Sequence, residues 1–478
     1  FPMKMKLYTT LWENETIKET VSEPVMTDES KQPRAVEMQV VNVYPQVMYQ
    51  KVEGFGGAMT EAAGYALSKL SDEDRKAAID AYFGKDGIGS TIIRTHIDSC
   101  DFSVGMYQAV EDVVSDPEFT TFTINRDRQY IIPAIKDAIA ACDKPISVLL
   151  SPWSPPAAWK TAPAKVVIGA NAPEMIRKNA PKGDSDEGSR CWGGHLKPEF
   201  YPSWARYIVK YIQAYLDEGI PVKWVSIQNE AMAVTPWDSC QWTAEEEKVF
   251  LRDHLYPEML KAGLIGKVGI YIWDHNKERI FERACGTLDE KTRPMVEGIA
   301  FHWYTGDHFD AVRMTHEAFP EKDLMFSEGC VEYSVMGGQS EVTFGQRYAH
   351  DMIGNLNAGM NKFIDWNMYL DEIGGPNHVG NYCGAPVMLD GKGSFEKKVS
   401  YYYIGHFSKY IQPGATHIGS SSYSDKLEVT AARNPDGSIA LVVLNRTGEE
   451  IPYNLRIQGQ LVQLKAEPNS IATAIITE

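Results

Sequence analysis

The 478-residue chain carries 47 Lys and Arg against 64 Asp and Glu, a formal charge of −17, which argues against nucleic acid or an anionic membrane surface as partner and suits a neutral substrate. Its length exceeds one ordinary core and calls for a large domain of about 250 residues or more with a smaller companion, which a 44% hydrophobic content supports. Seven cysteines, at 100, 142, 191, 240, 285, 330 and 383, are odd in number and include no C-x-x-C, so they indicate neither a disulfide framework nor a zinc site and point to a reducing compartment.

The first seven residues lack the apolar stretch of a signal peptide, and Phe1-Pro2 reads as a foreign dipeptide ahead of Met3. A cytoplasmic, bacterial setting is expected, with secretion behind an already removed signal peptide as the alternative. No apolar run reaches the roughly 18 residues that a membrane span needs.

Residues 1–50 read as extended segments around a polar loop at 25–33, and they need a sheet partner from elsewhere. From residue 52 a different rhythm begins, in which short β-forming runs alternate with amphipathic stretches. The runs are 52–60, 90–97, 146–153, 222–230, 268–274, 298–304, 323–329 and 362–368. Helices are expected at 201–218, where Trp204, Ile208, Ile212, Tyr215 and Leu216 recur at helical spacing, and at 243–262 behind Thr243 as N-cap. Further helices are expected at 274–288, 308–319, 345–359 and 400–411. Eight β runs separated by helices imply an α/β (β/α)8 TIM barrel over 51–413, with every strand ending on the same face.

From residue 414 the pattern changes to short strands, 427–433, 439–445, 453–457 and 471–476, with Asn434-Pro435-Asp436-Gly437 as a turn. That predicts an appended all-β sandwich over 414–478, joined by the N-terminal strands of 1–50. One segment, 160–201, interrupts the barrel rhythm with Lys, Pro, Gly and Asp and contains Gly188-Ser189-Arg190-Cys191-Trp192-Gly193-Gly194. Loops of this length are functional or disordered. Because it follows the third strand it is expected on the active-site face, narrowing the cleft.

Two of the eight runs, Val225-Ser226-Ile227-Gln228-Asn229-Glu230 and Leu324-Met325-Phe326-Ser327-Glu328-Gly329, carry a glutamate where the strand stops. A carboxylate there sits at the rim of a parallel barrel, and Glu230 with Glu328 supplies the pair that two-carboxylate glycoside hydrolysis requires. Either one alone reads equally well as a solvated strand end, so the company decides. Arg94, His96, Asp98 and Asp101 follow the second run, Trp153 and Trp159 the third, His302, Trp303 and Tyr304 the sixth, and Trp366 and Asn367 the eighth. Aromatic faces stack on sugar C–H surfaces, and Asp, Asn and Arg bind hydroxyls, so a small glycoside or oligosaccharide is the expected ligand.

Gly54-x-Gly56 is no dinucleotide loop, since Met59 stands at the third glycine position, and no cofactor is expected. His96, Asp98, Asp101 and His302 match no standard metal spacing, and no metal is expected. A metal-dependent barrel hydrolase and a non-catalytic sugar-binding barrel are the competing classes. Oligomeric state is left open between monomer and homo-oligomer.

The stretches Gly54-Phe55-Gly56-Gly57-Ala58-Met59-Thr60, Ile93-Arg94, Ser99-Cys100-Asp101-Phe102-Ser103, Ser151-Pro152-Trp153-Ser154, Asn229-Glu230, His302-Trp303-Tyr304, Ser327-Glu328-Gly329, Asp365-Trp366-Asn367 and Gly374-Gly375-Pro376-Asn377 are similar to motifs of one family. The chain resembles the family 30 glycoside hydrolases, retaining barrels that include glucosylceramidase, bacterial β-xylosidases and β-1,6-glucanases. The resemblance implies that Glu230 is the general acid/base and Glu328 the nucleophile. It places Asn229 at the 2-hydroxyl of the sugar, Asp101 and Trp153 at the far hydroxyls, Trp366 in the pocket wall and Tyr304 against the nucleophile, with Arg94, His302 and Asn381 in support. It further implies a retaining β-glycosidase acting on terminal glucose-, xylose- or fucose-type sugars, with an endo-acting β-1,6-glucanase as the alternative. Ala231 and His96 depart from the pattern, each standing where glucosylceramidase-like members have proline.

Overall fold

The computed structural model describes residues 2–181 and 185–478. Phe1, half of the suspected foreign dipeptide, and residues 182–184 of the long segment lie outside the described residues. Eight parallel strands close into a barrel in chain order: β1 (Gly54–Ala58), β2 (Ile92–Ile97), β3 (Ser147–Pro152), β4 (Val222–Ser226), β5 (Gly269–Asn276), β6 (Gly298–His302), β7 (Asp323–Glu328) and β8 (Lys362–Asn367). These are the eight runs legible in the sequence, each a near-continuous apolar stretch because both faces of a parallel strand are covered, except that β4 stops at Ser226 and leaves Glu230, expected at its end, four residues beyond it in a turn.

The barrel interior is filled by Ile92, Leu149, Trp224, Tyr271, Ala300, Met325 and Ile364, one from each of β2 to β8. In β1 the corresponding position is Gly56, in register with Ile92. A Cβ there would lie 1.7 Å from the Ile92 carbonyl oxygen, so the glycine-rich run exists to let β1 approach β2, not to cradle a phosphate. Since side chains alternate along a strand, the residues two further on also face inward. They are Arg94, Ser151, Ser226, His302, Ser327 and Trp366, and they convert the interior from apolar to polar at its C-terminal end.

The outer helices fall near their expected places. Tyr201–Asp217 buries Trp204, Ile208, Ile212 and Tyr215, and Ala244–Phe250 starts at a reciprocal Thr243–Glu246 capping box. The stretch expected as a helix from 274 differs: β5 runs on to Asn276 and the helix starts at Ile280. The cause is a register shift between β5 and β6, where Trp273 and Asp274 take left-handed φ values of 72° and 50°. The last long helices are Glu341–Ala358 and Val399–Ser408.

The second unit is a sheet of ten strands from the described residues, wrapped around its own apolar core of Val41, Val43, Ile418, Leu441, Leu455 and Ile457. The N-terminal strand Lys4–Glu13 pairs with the last strand, Ser470–Thr477, and Val40–Val52 inserts between Ala415–Ser422 and Ile451–Ile457. Ala415–Ser422 and Gln460–Ala466 were not foreseen as strands; the first is rich in Ser and Gly, and its partners on both sides impose its conformation. The two units are joined at buried His406, whose ring nitrogens meet the hydroxyls of Thr10 (2.7 Å) and Thr473 (2.8 Å). Among the described residues, no helix is long and apolar enough to cross a membrane.

Candidate active site

Arg94 organises the polar layer. Its fully buried guanidinium donates to Glu328 Oε1 (2.9 Å), Asn229 Oδ1 (2.8 Å), Asp274 Oδ2 (3.0 Å) and Ser151 Oγ (3.1 Å). Above it lie the rings of Trp153 and Trp366, at 4.7 and 5.5 Å from the guanidinium carbon. Those two indoles stack on each other, 5.3 Å apart and 16° from parallel. Asp274 is the counterpart hub, bonded to Arg94, to Ser226 and Ser327 (2.7 and 2.6 Å) and to His302 Nε2 (2.7 Å). Burial works against its charge, but Arg94 and His302 override that and hold its carboxyl well below the usual range.

His302 spans two carboxylates, with Nδ1 3.1 Å from Glu230 Oε2 and Nε2 on Asp274. Desolvation opposes its charge, but Glu328, Asp274 and Glu230 together raise its pKa to about 9, so both nitrogens carry protons. Glu328 also accepts from Tyr304 Oη at 2.6 Å. Burial lifts the Glu328 pKa above the ordinary carboxylate value, with Glu230 adding to the rise and His302, Arg94 and the tyrosine hydroxyl opposing it. Glu230 itself adopts a left-handed φ of 51°, and its N–H donates to the Asp274 carbonyl at 2.7 Å. Strained backbone at a site residue persists only where surrounding contacts over-determine it, as here.

One oxygen of Glu230, one of Glu328 and a nitrogen of His302 all lie within 4.8 Å of one another. Among the described residues, these three atoms are a group that could hold a metal. The set weighed from sequence does not converge: His96 receives the Glu61 N–H at Nε2 and meets the Asp98 carbonyl at Nδ1, which uses both its nitrogens.

A cavity of about 200 Å³ opens above the two glutamates. Asp101, Trp153, Asn229, Tyr304, Trp366 and Asn381 all line it, so every sugar-contacting candidate except the buried supports Arg94 and His302 reaches it. Asn229 spends Oδ1 on Arg94, which leaves its Nδ2 to offer to a ligand. Trp303 and Trp159 do not line it; they are 1% and 3% exposed and cap the core against Tyr348 and Phe200. The sequence did not single out Glu332, Cys330, Cys383, Trp237, His275 and Asn276, which also line the cavity, nor a role for Asp274. Only Asp274 had a usable signal, a charged residue closing an apolar run.

Among the described residues of the 160–201 segment, none lines this cavity, so the expected narrowing of the cleft is not what they do. Two of them instead tie neighbouring loops together. Buried Arg190 donates to Asp238 Oδ2 (2.9 Å) and the Ser99 and Ser154 carbonyls, and Lys160 donates to Ser154 Oγ and the Ser239 carbonyl. Asp238 in turn holds His378 of the loop after β8 (2.7 Å), so three loops are tied together under one carboxylate.

One oxygen of Glu230 and one of Glu328 within 4.8 Å fit the short separation of about 5–5.5 Å found in retaining sites better than that of about 6.5–9.5 Å in inverting ones. The fold and this spacing are those of a retaining glycoside hydrolase. Comparison with known proteins specifies it further: the chain belongs to glycosyl hydrolase family 30, whose TIM-barrel domain matches residues 52–411 and whose β-sandwich domain matches 414–474. It is 32% identical to lysosomal acid glucosylceramidase of Mus musculus over 87% of this chain and 79% of that one. Among solved structures it is similar to SrfJ from Salmonella typhimurium, at 34% identity and a TM-score of 0.87 over 99% of both chains. It is also similar to the endo-β1,6-glucanase BT3312, at 25% identity and a TM-score of 0.81 over 99% of this chain and all of that one.

Proposed function

We propose that this protein is an exo-acting β-glycosidase that removes terminal sugars, one at a time, from a small glycoside or oligosaccharide by double displacement. A Glu328 oxygen attacks the anomeric carbon while Glu230 gives its proton to the departing oxygen; Glu230 then takes a proton from water, whose oxygen attacks the same carbon and frees Glu328. Arg94 and Tyr304 both donate to Glu328, which suits a group that must be ionised to attack. Asn229 serves the 2-hydroxyl, Asp101 and Trp153 take the far hydroxyls, Trp366 forms a wall and His302 orients Glu230. The sandwich, with 1–50 joined to 414–478, supports a catalytic barrel of 51–413. All seven cysteines are unpaired, which supports a reducing, cytoplasmic setting.

The observation that carries exo-action is the cavity's size. At about 200 Å³ it falls below the roughly 300 Å³ at which ordinary ligand pockets begin, and Asp101 and Trp153, 4% and 1% exposed, are part of its lining. That size supports the binding of one sugar ring at a time. An endo-acting β-1,6-glucanase is the second reading, favoured by the similarity to BT3312. Digestion of a linear β-1,6-glucan beside aryl β-glycosides of glucose, xylose, fucose and galactose separates the two. Monosaccharide release supports exo-action; oligomers from the glucan with no aryl hydrolysis refute it.

A further inference from the structure

Glu332 lines the cavity but has no part in the double displacement. It lies in the short strand Val331–Glu332, which pairs antiparallel with Cys383–Gly384 and so joins the loops that follow β7 and β8. Its Oε2 accepts a long bond, 3.5 Å, from Asn381 Nδ2. The nearby cation, Arg347, is engaged elsewhere: its guanidinium lies 4.4 Å over the Trp303 ring and donates to the Trp303 carbonyl. Asn381 is 4% exposed and its backbone N–H and carbonyl are both taken by the Asn377 side chain. Its Oδ1 has no partner. Glu332 thus presents a carboxylate to the cavity, with the unpartnered Asn381 amide oxygen enclosed beside it, and a carboxylate whose bond to Asn381 is this long is best served by a ligand group that donates.

Which edge of the sugar meets this wall follows from the roles proposed above, on which this step rests. With C1 at Glu328, the 2-hydroxyl at Asn229 beyond β4, and the far hydroxyls at Asp101 and Trp153 beyond β2 and β3, the remaining edge is C5 and its substituent. That edge faces the loops after β7 and β8. We propose that Glu332, with Asn381, reads the substituent on C5, accepting a hydrogen bond from a C6 hydroxyl and repelling a C6 carboxylate. Glu332 is thereby a specificity-determining residue that selects hexosides over pentosides and uronosides. A C6 hydroxyl engaged by Glu332 would also leave no free O6 through which a chain could continue.

The test compares kcat/KM for p-nitrophenyl β-D-glucoside, β-D-xyloside and β-D-glucuronide in the wild type and in Glu332→Gln. The wild type is expected to favour the glucoside over the xyloside by at least about 100-fold, because the analogue without the hydroxyl leaves the Glu332 carboxylate without that donor. It should use the glucuronide at least about 100-fold less well than the glucoside, at a rate still measurable with excess enzyme. Glu332→Gln removes the charge but keeps the shape, and should raise the glucuronide-to-glucoside ratio by about tenfold or more. A uniform loss on all three substrates would mean that Glu332 acts only through Glu230, and would overturn the proposal, as would equal use of xyloside and glucoside by the wild type. If the wild type hydrolyses none of the three, the exo reading is what fails. Calorimetric binding of glucose and glucuronate to the same two proteins then decides Glu332 alone: a preference for glucose that narrows in Glu332→Gln supports it, and an unmoved preference refutes it.

Discussion

Replacing Tyr304 with Phe deletes one hydroxyl and leaves the ring in place. That hydroxyl donates to Glu328 Oε2 at 2.6 Å, a short bond to a group whose ionised form it favours. A hydrogen bond to a charged partner contributes about 1.5–3 kcal/mol, and one pKa unit corresponds to about 1.36 kcal/mol. Losing it therefore raises the carboxyl by roughly one to two units, on top of the elevation that burial already causes. The nucleophile must be ionised in the free enzyme, so the acid limb of the kcat/KM profile should move to higher pH by that amount while the alkaline limb stays put. Because Glu230 and Glu328 are close, the limb reports the pair and not one carboxyl. The assay is hydrolysis of an activated aryl β-glycoside across pH, with the denaturation midpoint checked alongside. Tyr304 is only half-buried, so folding should suffer little. An acid limb that does not move, or that moves down, would refute the assignment of Glu328 as the group that must be ionised.

Glu328→Ala should abolish turnover of every substrate, whereas Glu230→Ala should lose about 10²–10⁴-fold on poor leaving groups and far less on activated aryl glycosides; equal losses on both would remove Glu230 as the acid. Gly56→Ala puts a methyl 1.7 Å from the Ile92 carbonyl oxygen and should cost about 3 kcal/mol or more, read as a fall in the urea midpoint; a midpoint within error of the wild type would contradict the close approach of β1 and β2. His406, between the two units, has its pKa pushed down to about 3 by burial and then by Lys409, so the folded protein holds it neutral. Its unfolded value is about 6.5, the unfolded chain therefore binds the extra proton, and stability falls as pH drops from 6.5 toward 3. His406→Gln should flatten that slope in denaturation measured at pH 6.5, 5.5 and 4.5, and an unchanged slope would show that other groups carry the acid sensitivity.

How much of this was open to reading from the chain alone depends on whether local periodicity places a residue. Alternation along a strand is covalent geometry, so once Ile92, Ala300, Met325 and Ile364 fill the barrel, Arg94, His302, Ser327 and Trp366 must face inward two residues later. Glu230 and Glu328 were legible for a different reason, as the ends of apolar runs in a fold whose strands all finish on one side; alternation does not place them, since Glu328 adjoins inward-facing Ser327 and Glu230 lies in the turn beyond Ser226. Asp274 escaped because periodicity fails at the shift between β5 and β6: two left-handed residues there turn Asp274 inward although it stands three positions after inward-facing Tyr271, and nothing in its own sequence announces that. Glu332, Asn381, Cys383 and Trp237 meet only through loops after β4, β7 and β8, whose paths are set by contacts between distant residues such as Asp238 with Arg190 and His378. The same holds for the 160–201 segment, placed at the correct end of the barrel by its position after β3 but tied to neighbouring loops, not to the cavity lining, through its buried Arg190 and Lys160. Ala415–Ser422 is a strand only because Val40–Val52 and Leu427–Arg433 flank it, partners from hundreds of residues away on one side and from the next turn on the other. Period and strand ends are written in consecutive residues; pocket walls are written in pairings that exist only once the chain has folded.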